Sequence, residues 1–247
     1  MKAVLLAAGS STRLYPLTES TPKCLLEVGG KTLLEHQLDA LAICDVSEVI
    51  IVTGYLSHLL TEKIEQLQGR YPFEFSFIHN ARYADTNNIY SLWTARESLK
   101  NTSFLCLHAD VLFHPQILRN GALSSADVCL IADREVLEET MKLKIEDGRV
   151  ISVGKHVKME EASGTFLGLV KFSEEGSDRM FEKVDRLIDE GQIKGYFTDA
   201  IERLIADRFP VGVSFTQGLP WIEIDVKEEL EQARRQVHSQ IMEAHVS

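Results

Sequence analysis

The stretch Lys2–Lys23, KAVLLAAGSSTRLYPLTESTPK, decides how the rest of the chain is read. It opens as an apolar run from Ala3 to Ala8, of the length and type of a strand buried in a parallel sheet. At Gly9 the pattern gives way to Ser10, Ser11 and Thr12, and then to Arg13. Glycine lets the backbone turn sharply and sets no Cβ against a ligand. The small residues after it leave main-chain N–H groups free, and such groups cradle phosphates. Arg13 adds a planar cation that forks onto phosphate oxygens, and Lys23, on a segment stiffened by Pro22, adds another. The stretch reads as a triphosphate cradle, with an ordinary strand-to-loop turn as the plain alternative. Two commoner phosphate loops are excluded, because no GxxxxGK[ST] is present and Ser11 breaks a GxGxxG.

Working outward, 247 residues suit one large α/β domain with a substantial core. A formal charge of -11, from 26 basic and 37 acidic residues, argues against a nucleic-acid-binding surface. The partners expected are small molecules, and a bound polyanion needs local cations and a metal. Cys24, Cys44, Cys106 and Cys129 lie too far apart for CxxC pairs and sit in apolar runs, so buried thiols in a reducing cytoplasm are expected. Lys2 leads straight into a strand without a signal-peptide pattern. No apolar run approaches the roughly 20 residues that cross a bilayer, so no membrane partner is expected.

Strand and helix patterns alternate through the first half, predicting a mixed, mostly parallel sheet flanked by helices. Helices are predicted over Thr32–Ile43, Leu56–Gln68 and Ile89–Leu99, and strands over Val49–Val52, Phe73–Ile78 and Phe104–Leu107. Gly9, Gly54, Asn80 and Asp110 then all fall just beyond strand ends, where ligands gather in open α/β sheets. The second half carries shorter strand candidates at Val128–Ala132, Lys142–Ile145, Val150–Val153, Thr165–Phe172, Val211–Thr216 and Trp221–Ile224. Helices are expected at Met180–Glu190, Thr198–Asp207 and Lys227 to about His245. A single domain is expected, with residues 1–125 as the nucleotide-binding half and 126–247 as an acceptor-facing lobe and terminal helix. Asp110 and Asp225 each end an apolar strand, where a carboxylate needs a partner. Two such groups can converge on Mg²⁺, which takes few protein oxygens and leaves its other positions to phosphates and water. The plain alternative for either is a helix N-cap.

The residues also carry a resemblance. LAAGSSTRLYPLTESTPKCLLEVGGKTLLEH, Leu6–His36, resembles the LAAGxGxRLxPLTxxxPKxLxxVxGKPLLE opening of nucleotidyltransferases that join an NTP to a phosphorylated small molecule. Ser11 stands in place of that pattern's second glycine and Thr32 in place of its proline. HADVLF, His108–Phe113, and WIEIDVKEELEQAR, Trp221–Arg234, resemble the family's two metal-binding segments, which implies Mg²⁺ on Asp110 and Asp225. Val226 and Lys227 replace the usual Thr and Pro there, a change at helix entry. Between Asn80 and Leu92 the pattern NxxYxxxNNxxSL resembles phosphocholine and 2-aminoethylphosphonate cytidylyltransferases, where sugar-1-phosphate enzymes carry a glycine-rich stretch. ISVGK, Ile151–Lys155, and SGTFLGLVKF, Ser163–Phe172, are similar to further segments of those relatives, with Thr165 where Glu is common.

The resemblance implies a Rossmann-like fold and a cytidylyltransferase that joins CTP to a small phosphate or phosphonate acceptor with release of pyrophosphate. Lys23 and Arg13 would act on the phosphates. Leu6, Ala8, Gly9, Ser10, Ser11, Thr12, Asn87 and Asn88 would hold the nucleotide, the asparagine amides offering both donor and acceptor. Lys155, Tyr196, Asp199 and Trp221 would meet the acceptor, the rings suiting a cationic head group. For Asp199 a helix-start role is an equal alternative, and for Trp93 core packing is expected. The readings left open are a sugar-1-phosphate or inositol-phosphate nucleotidyltransferase, a non-catalytic nucleotide-binding regulatory domain, and a glycosyltransferase of similar fold. The acceptor's identity and a homodimer are open as well.

Overall fold

The structure, a computed structural model, describes residues 1–244. In the first half the strands are β1 (Lys2–Ala7), the hairpin β2 (Glu27–Val28) and β3 (Lys31–Thr32), β4 (Glu48–Thr53), β5 (Glu74–His79), β6 (Phe104–His108) and β7 (Val111–Phe113). The helices among them are α1 (Leu33–Leu41), α2 (Ser57–Leu67), α3 (Asn88–Thr94), α4 (Arg96–Leu99) and α5 (Pro115–Ala122). The second half adds β8 (Val128–Asp133), β9 (Lys142–Glu146), β10 (Arg149–Gly154), β11 (Gly164–Phe172), β12 (Val211–Phe215) and β13 (Trp221–Glu223). It also adds α6 (Glu174–Asp189), α7 (Phe197–Ala206), α8 (Lys227–Gln232) and α9 (His238–Ala244), with a π-helical turn, Ala233–Val237, joining the last two.

Nine strands form one sheet in the order β10-β9-β11-β6-β1-β4-β5, with β8 on β11 and β12 on β8. All but β10 and β11 run in the same direction. Strand side chains alternate between faces, and β1 shows the result. Val4 packs with Ile50 and Cys106 beneath α3, α6 and α7, whereas Ala3, Leu5 and Ala7 pack with Val49, Ile51 and Leu105 beneath α1, α2 and α5. A third cluster joins the chain's two ends: Leu230, Ala233, Val237 and Ile241 meet Leu14, Leu26, Val28 and Leu33. The spacing 230, 233, 237, 241 is the helical stripe hidden in an otherwise charged segment. It holds the segment after β13 against the N-terminal turn.

Several elements differ from the sequence expectation for local reasons. The segment Ile89–Leu99 is two helices, broken at Ala95 (φ -90°, ψ 0°). Helix α6 starts at Glu174 rather than Met180, because the Ser173 side chain accepts from the Gly176 N–H and caps it. The single terminal helix is interrupted by its π turn, and its expected end at His245 lies outside the described residues. Strand β7 and helix α5 were not expected. The signal for α5 was Pro115 at its first position, preceded by His114, whose side chain accepts from Gln116 N–H. All four cysteines are buried and free. Among the described residues, no helix is long and apolar enough to cross a membrane.

Candidate active site

The carboxyl ends of β1, β5 and β6 open onto a cavity of about 650 Å³. Its floor near β1 includes Leu6, Ala8, Gly9, Ser11 and Arg13. A Cβ built on Gly9 meets nothing within 4 Å, so packing does not demand glycine here and the space beside it is open to a ligand. Ser11 holds φ 50° and ψ 47°, a left-handed conformation that costs a residue with a Cβ roughly 1–2 kcal/mol. It is tied there by its carbonyl, which accepts from the Thr18 hydroxyl at 2.9 Å and from Leu14 N–H at 3.1 Å. Ser10 and Thr12 flank this turn and do not line the cavity; Thr12 instead opens a short 3-10 turn. Of the four residues Gly9–Thr12 expected as the cradle, Gly9 and Ser11 line the cavity.

Asp110 and Asp225 do meet, although 115 residues separate them in the chain (225 minus 110). The short ribbon β7–β13 brings this about, pairing Val111 with Glu223, while Ile224 N–H donates to the Asp110 carbonyl at 3.0 Å. Lys23 lies between the two carboxylates, its Nζ 2.7 Å from Asp110 Oδ2 and 2.8 Å from Asp225 Oδ1. Arg13 Nη2 adds a contact to Asp225 Oδ2 at 2.7 Å. Neither aspartate caps a helix: Val226 occupies the N-cap of α8, and Glu229 accepts from its N–H at 3.0 Å. Burial pulls the Lys23 pKa down, but attraction to Asp110 and Asp225 and the hydrogen bonds to both outweigh it, and the ammonium is held above its ordinary range. Burial pushes Asp110 up, yet the Lys23 charge wins and its carboxyl titrates below the usual value.

Two further groups complete this end, and sequence reading missed both. His108 ends β6 and Glu223 ends β13, each two residues before an aspartate that lies just past the strand. That spacing was the available signal. Ligand atoms of His108, Asp110 and Glu223 all lie within 4.8 Å of one another. Burial, with Asp110 and Asp225 nearby, pushes Glu223 up to about 8, and burial lowers the His108 pKa. His108 Nε2 is 3.1 Å from Asn88 Nδ2, and Gly168, at φ 76°, lets β11 pass so close that a Cβ would lie 2.5 Å from His108 Nδ1.

This donor set fits a hard divalent cation. It is rich in carboxylate oxygen, and Asp110 Oδ1 is buried with no hydrogen-bond partner among the described residues. Charge balance points the same way. Lys23 and Arg13 already neutralise Asp110 and Asp225, so an incoming triphosphate finds no spare positive charge here without a metal.

The remaining expected residues divide. Asn87 and Asn88 line the cavity; Asn87 caps α3, and Asn88 Oδ1 accepts from Phe197 N–H at 2.9 Å, linking α3 to α7. Asn80 is buried and holds the loop before them, donating to Thr86 Oγ1 and Ser91 Oγ at 3.2 and 3.1 Å. Lys155 and Tyr196 line the far end, with the ammonium 6.0 Å from the ring centroid. Asp199 and Trp221 do not line it. Asp199 accepts from Tyr196 N–H at 2.8 Å, the helix-start role, and Trp221 Nε1 donates to Asp133 at 3.0 Å while its ring packs beneath the sheet. Trp93 likewise packs against the core and donates to Asp185. Tyr83, Glu139, Thr140, Met141 and Phe166 line the cavity without having been expected.

With this geometry in view, comparison with known proteins is decisive. Residues 3–148 match the MobA-like NTP transferase domain. The chain belongs to that family. This MobA-like NTP transferase is a nucleotidyltransferase whose fold recurs almost end to end in solved structures. The CTP:phosphocholine cytidylyltransferase of Streptococcus pneumoniae superposes with a TM-score of 0.77 at 26% identity, covering 94% of this chain and 97% of that one. The inositol-1-phosphate CTP transferase of T. maritima shares the fold with a TM-score of 0.81 at 19% identity, over 98% and 96% of the two chains. In sequence, the choline-phosphate cytidylyltransferase of Streptococcus pneumoniae is 32% identical over 81% of this chain and 80% of its own. The CTP:phosphoglutamine cytidylyltransferase of Campylobacter jejuni is 24% identical over 94% and 98%.

Proposed function

We propose that the chain is a metal-dependent cytidylyltransferase that joins CTP to a small zwitterionic phosphate or phosphonate, releasing pyrophosphate. The observation that carries this reading is the convergence of Lys23, Asp110 and Asp225, from three remote parts of the sequence, beside the turn at Gly9. CTP is favoured because the relatives named above are cytidylyltransferases over nearly the whole chain. A zwitterionic acceptor is favoured by the charges left over. Arg13 and Lys23 are ion-paired, and Glu229 accepts from main-chain N–H groups. The charged groups of the lining that enter no ion pair or hydrogen bond among the described residues are Lys155, Glu139 and Glu223; Glu223 belongs to the cluster with His108 and Asp110, which leaves one lysine and one glutamate for the acceptor.

In this reading an acceptor oxyanion forms a new bond to the α-phosphorus as the bond from that phosphorus to the β-bridging oxygen breaks, in line. The acceptor is already ionised, so no general base is needed, and the protein contributes positioning and charge neutralisation. Lys23 would stabilise charge growing on the α-phosphate, while Arg13 and the main-chain amides at Gly9–Ser11 hold the departing pyrophosphate. Mg²⁺ held by Asp110 and Asp225 would supply Lewis-acid stabilisation of the phosphates. Residues 1–125 would then serve the nucleotide and 126–247 the acceptor, in keeping with where Lys155 and Glu139 lie. Pyrophosphate release measured across CTP, UTP, GTP and ATP, with phosphocholine, 2-aminoethylphosphonate, glucose 1-phosphate and inositol 1-phosphate, tests the reading. Turnover should be greatest for CTP with a zwitterion; faster turnover with a sugar or inositol phosphate would refute it.

A further inference from the structure

The segment between β8 and β9 supplies Glu139, Thr140 and Met141 to the cavity wall. It carries no secondary structure of its own, and Glu139 is exposed. Beneath it lie two buried polar side chains on adjacent strands, Lys142 on β9 and Thr165 on β11, which face each other in the register. Lys142 is 5% exposed and forms no ion pair among the described residues. Both hydrogen bonds of its ammonium go to main-chain carbonyls of the segment, Glu138 at 2.9 Å and Thr140 at 3.2 Å. Thr165 is fully buried, and its hydroxyl oxygen accepts from Leu137 N–H at 2.9 Å and lies 3.4 Å from Thr140 Oγ1. A buried ammonium without a carboxylate is costly. A solvated loop with no function would not require one, and here its whole hydrogen-bonding capacity in use is spent on the stretch that flanks Glu139.

Resting on the cytidylyltransferase reading, we propose that Lys142 and Thr165 are positioning residues. They clamp Leu137–Met141 as a fixed lip so that the Glu139 carboxylate meets the acceptor's ammonium, and thereby set acceptor specificity. The carboxylate and the adjoining Thr140 hydroxyl offer directional acceptors, which suit an amine bearing N–H donors. The acceptor class this geometry selects is an aminoalkyl phosphate or phosphonate.

The test compares wild type with Glu139→Gln, Thr165→Val and Lys142→Met, using 2-aminoethylphosphonate and ethylphosphonate, which lacks the amine. Wild type should prefer the amine-bearing acceptor. Glu139→Gln should erase that preference by raising the KM for 2-aminoethylphosphonate about tenfold, as expected on losing one charge-assisted hydrogen bond. Thr165→Val and Lys142→Met should each raise the same KM several-fold, with kcat and the KM for CTP within about twofold of wild type. Equal losses for both substrates, or an unchanged KM for the acceptor, would overturn the clamp. Hydrogen exchange over residues 134–141 reads the clamp without turnover: it should quicken in both clamp variants, and unchanged exchange would overturn the proposal even in an inactive enzyme. Pyrophosphate release by wild type without preference between the two phosphonates would overturn the head-group assignment while leaving the cytidylyltransferase reading standing. No release with any acceptor would sink that reading instead, and the exchange experiment would still judge the clamp.

Discussion

The two ends of the cavity handle charge in opposite ways. Near the Gly9 turn both cations are already engaged: Lys23 bridges Asp110 and Asp225, and Arg13 reaches the second of them. At the far end Lys155 and Glu139 have no ionic partner among the described residues, and Lys155 has only the face of Tyr196. A group fixed before substrate arrives costs no reorganisation during reaction, whereas an unpaired charge at a rim is available to choose a ligand. On the proposed reading the difference separates chemistry from selection: the first end would stabilise a transition state, and the second would discriminate between acceptors.

That separation is broken most forcefully at Lys23. Lys23→Met should lower kcat by about 10²–10³, the effect of removing one preorganised donor to a developing charge, with little change in the acceptor's KM. A loss confined to KM would put Lys23 at the wrong end. Chelation of divalent metal should likewise abolish pyrophosphate release, with restoration by added Mg²⁺; full activity in chelator would remove the metal from the account. At the far end Lys155→Ala should raise the acceptor's KM about tenfold, the scale of one hydrogen bond to a charged group, and leave kcat nearly intact. An equal rise in the KM for CTP would show that the two ends are not distinct.

A paired charge that lines no cavity offers the smallest effect and a control. Burial pushes Glu35 up, but hydrogen bonds from Lys63 and Thr32 dominate and bring it from an ordinary 4.5 down to about 2. Its folded-state pKa is depressed, so its contribution to stability is present above about pH 4.5 and lost as pH falls towards 2. Glu35→Gln should therefore lower Tm at neutral pH, with the gap to wild type closing in acid and kcat unaffected. A gap independent of pH would show that packing, not charge, sets its role.

What the sequence disclosed, and what it withheld, follows the same division. The Gly9 turn, Asp110 and Asp225 were legible because each follows a strand end at an abrupt change of residue type, and Lys23 because it follows Pro22 in the same opening stretch. Even there, Ser10 and Thr12 are not among the residues that line the cavity. Trp221 looked like an acceptor wall, but its indole N–H is spent on Asp133, a partner 88 residues away that no local pattern reveals. Glu139 was invisible for the converse reason. It sits in a polar loop resembling any solvated surface, and only the register of β9 against β11 places Lys142 and Thr165 beneath it. His108 and Glu223 lay within reach, each the last residue of a strand and two residues from a recognised aspartate, and that proximity was the unused clue.

The central claim is that bond exchange at the α-phosphorus of CTP takes place beside Lys23, Asp110 and Asp225. ³¹P NMR of wild type and of Asp110→Asn with CTP, Mg²⁺ and 2-aminoethylphosphonate tests it in one spectrum each. Wild type should convert the CTP resonances into those of pyrophosphate and a mixed phosphate–phosphonate anhydride, and the variant should leave CTP intact over the same time. CDP with orthophosphate from wild type, or the anhydride formed at equal rate by the variant, would contradict it.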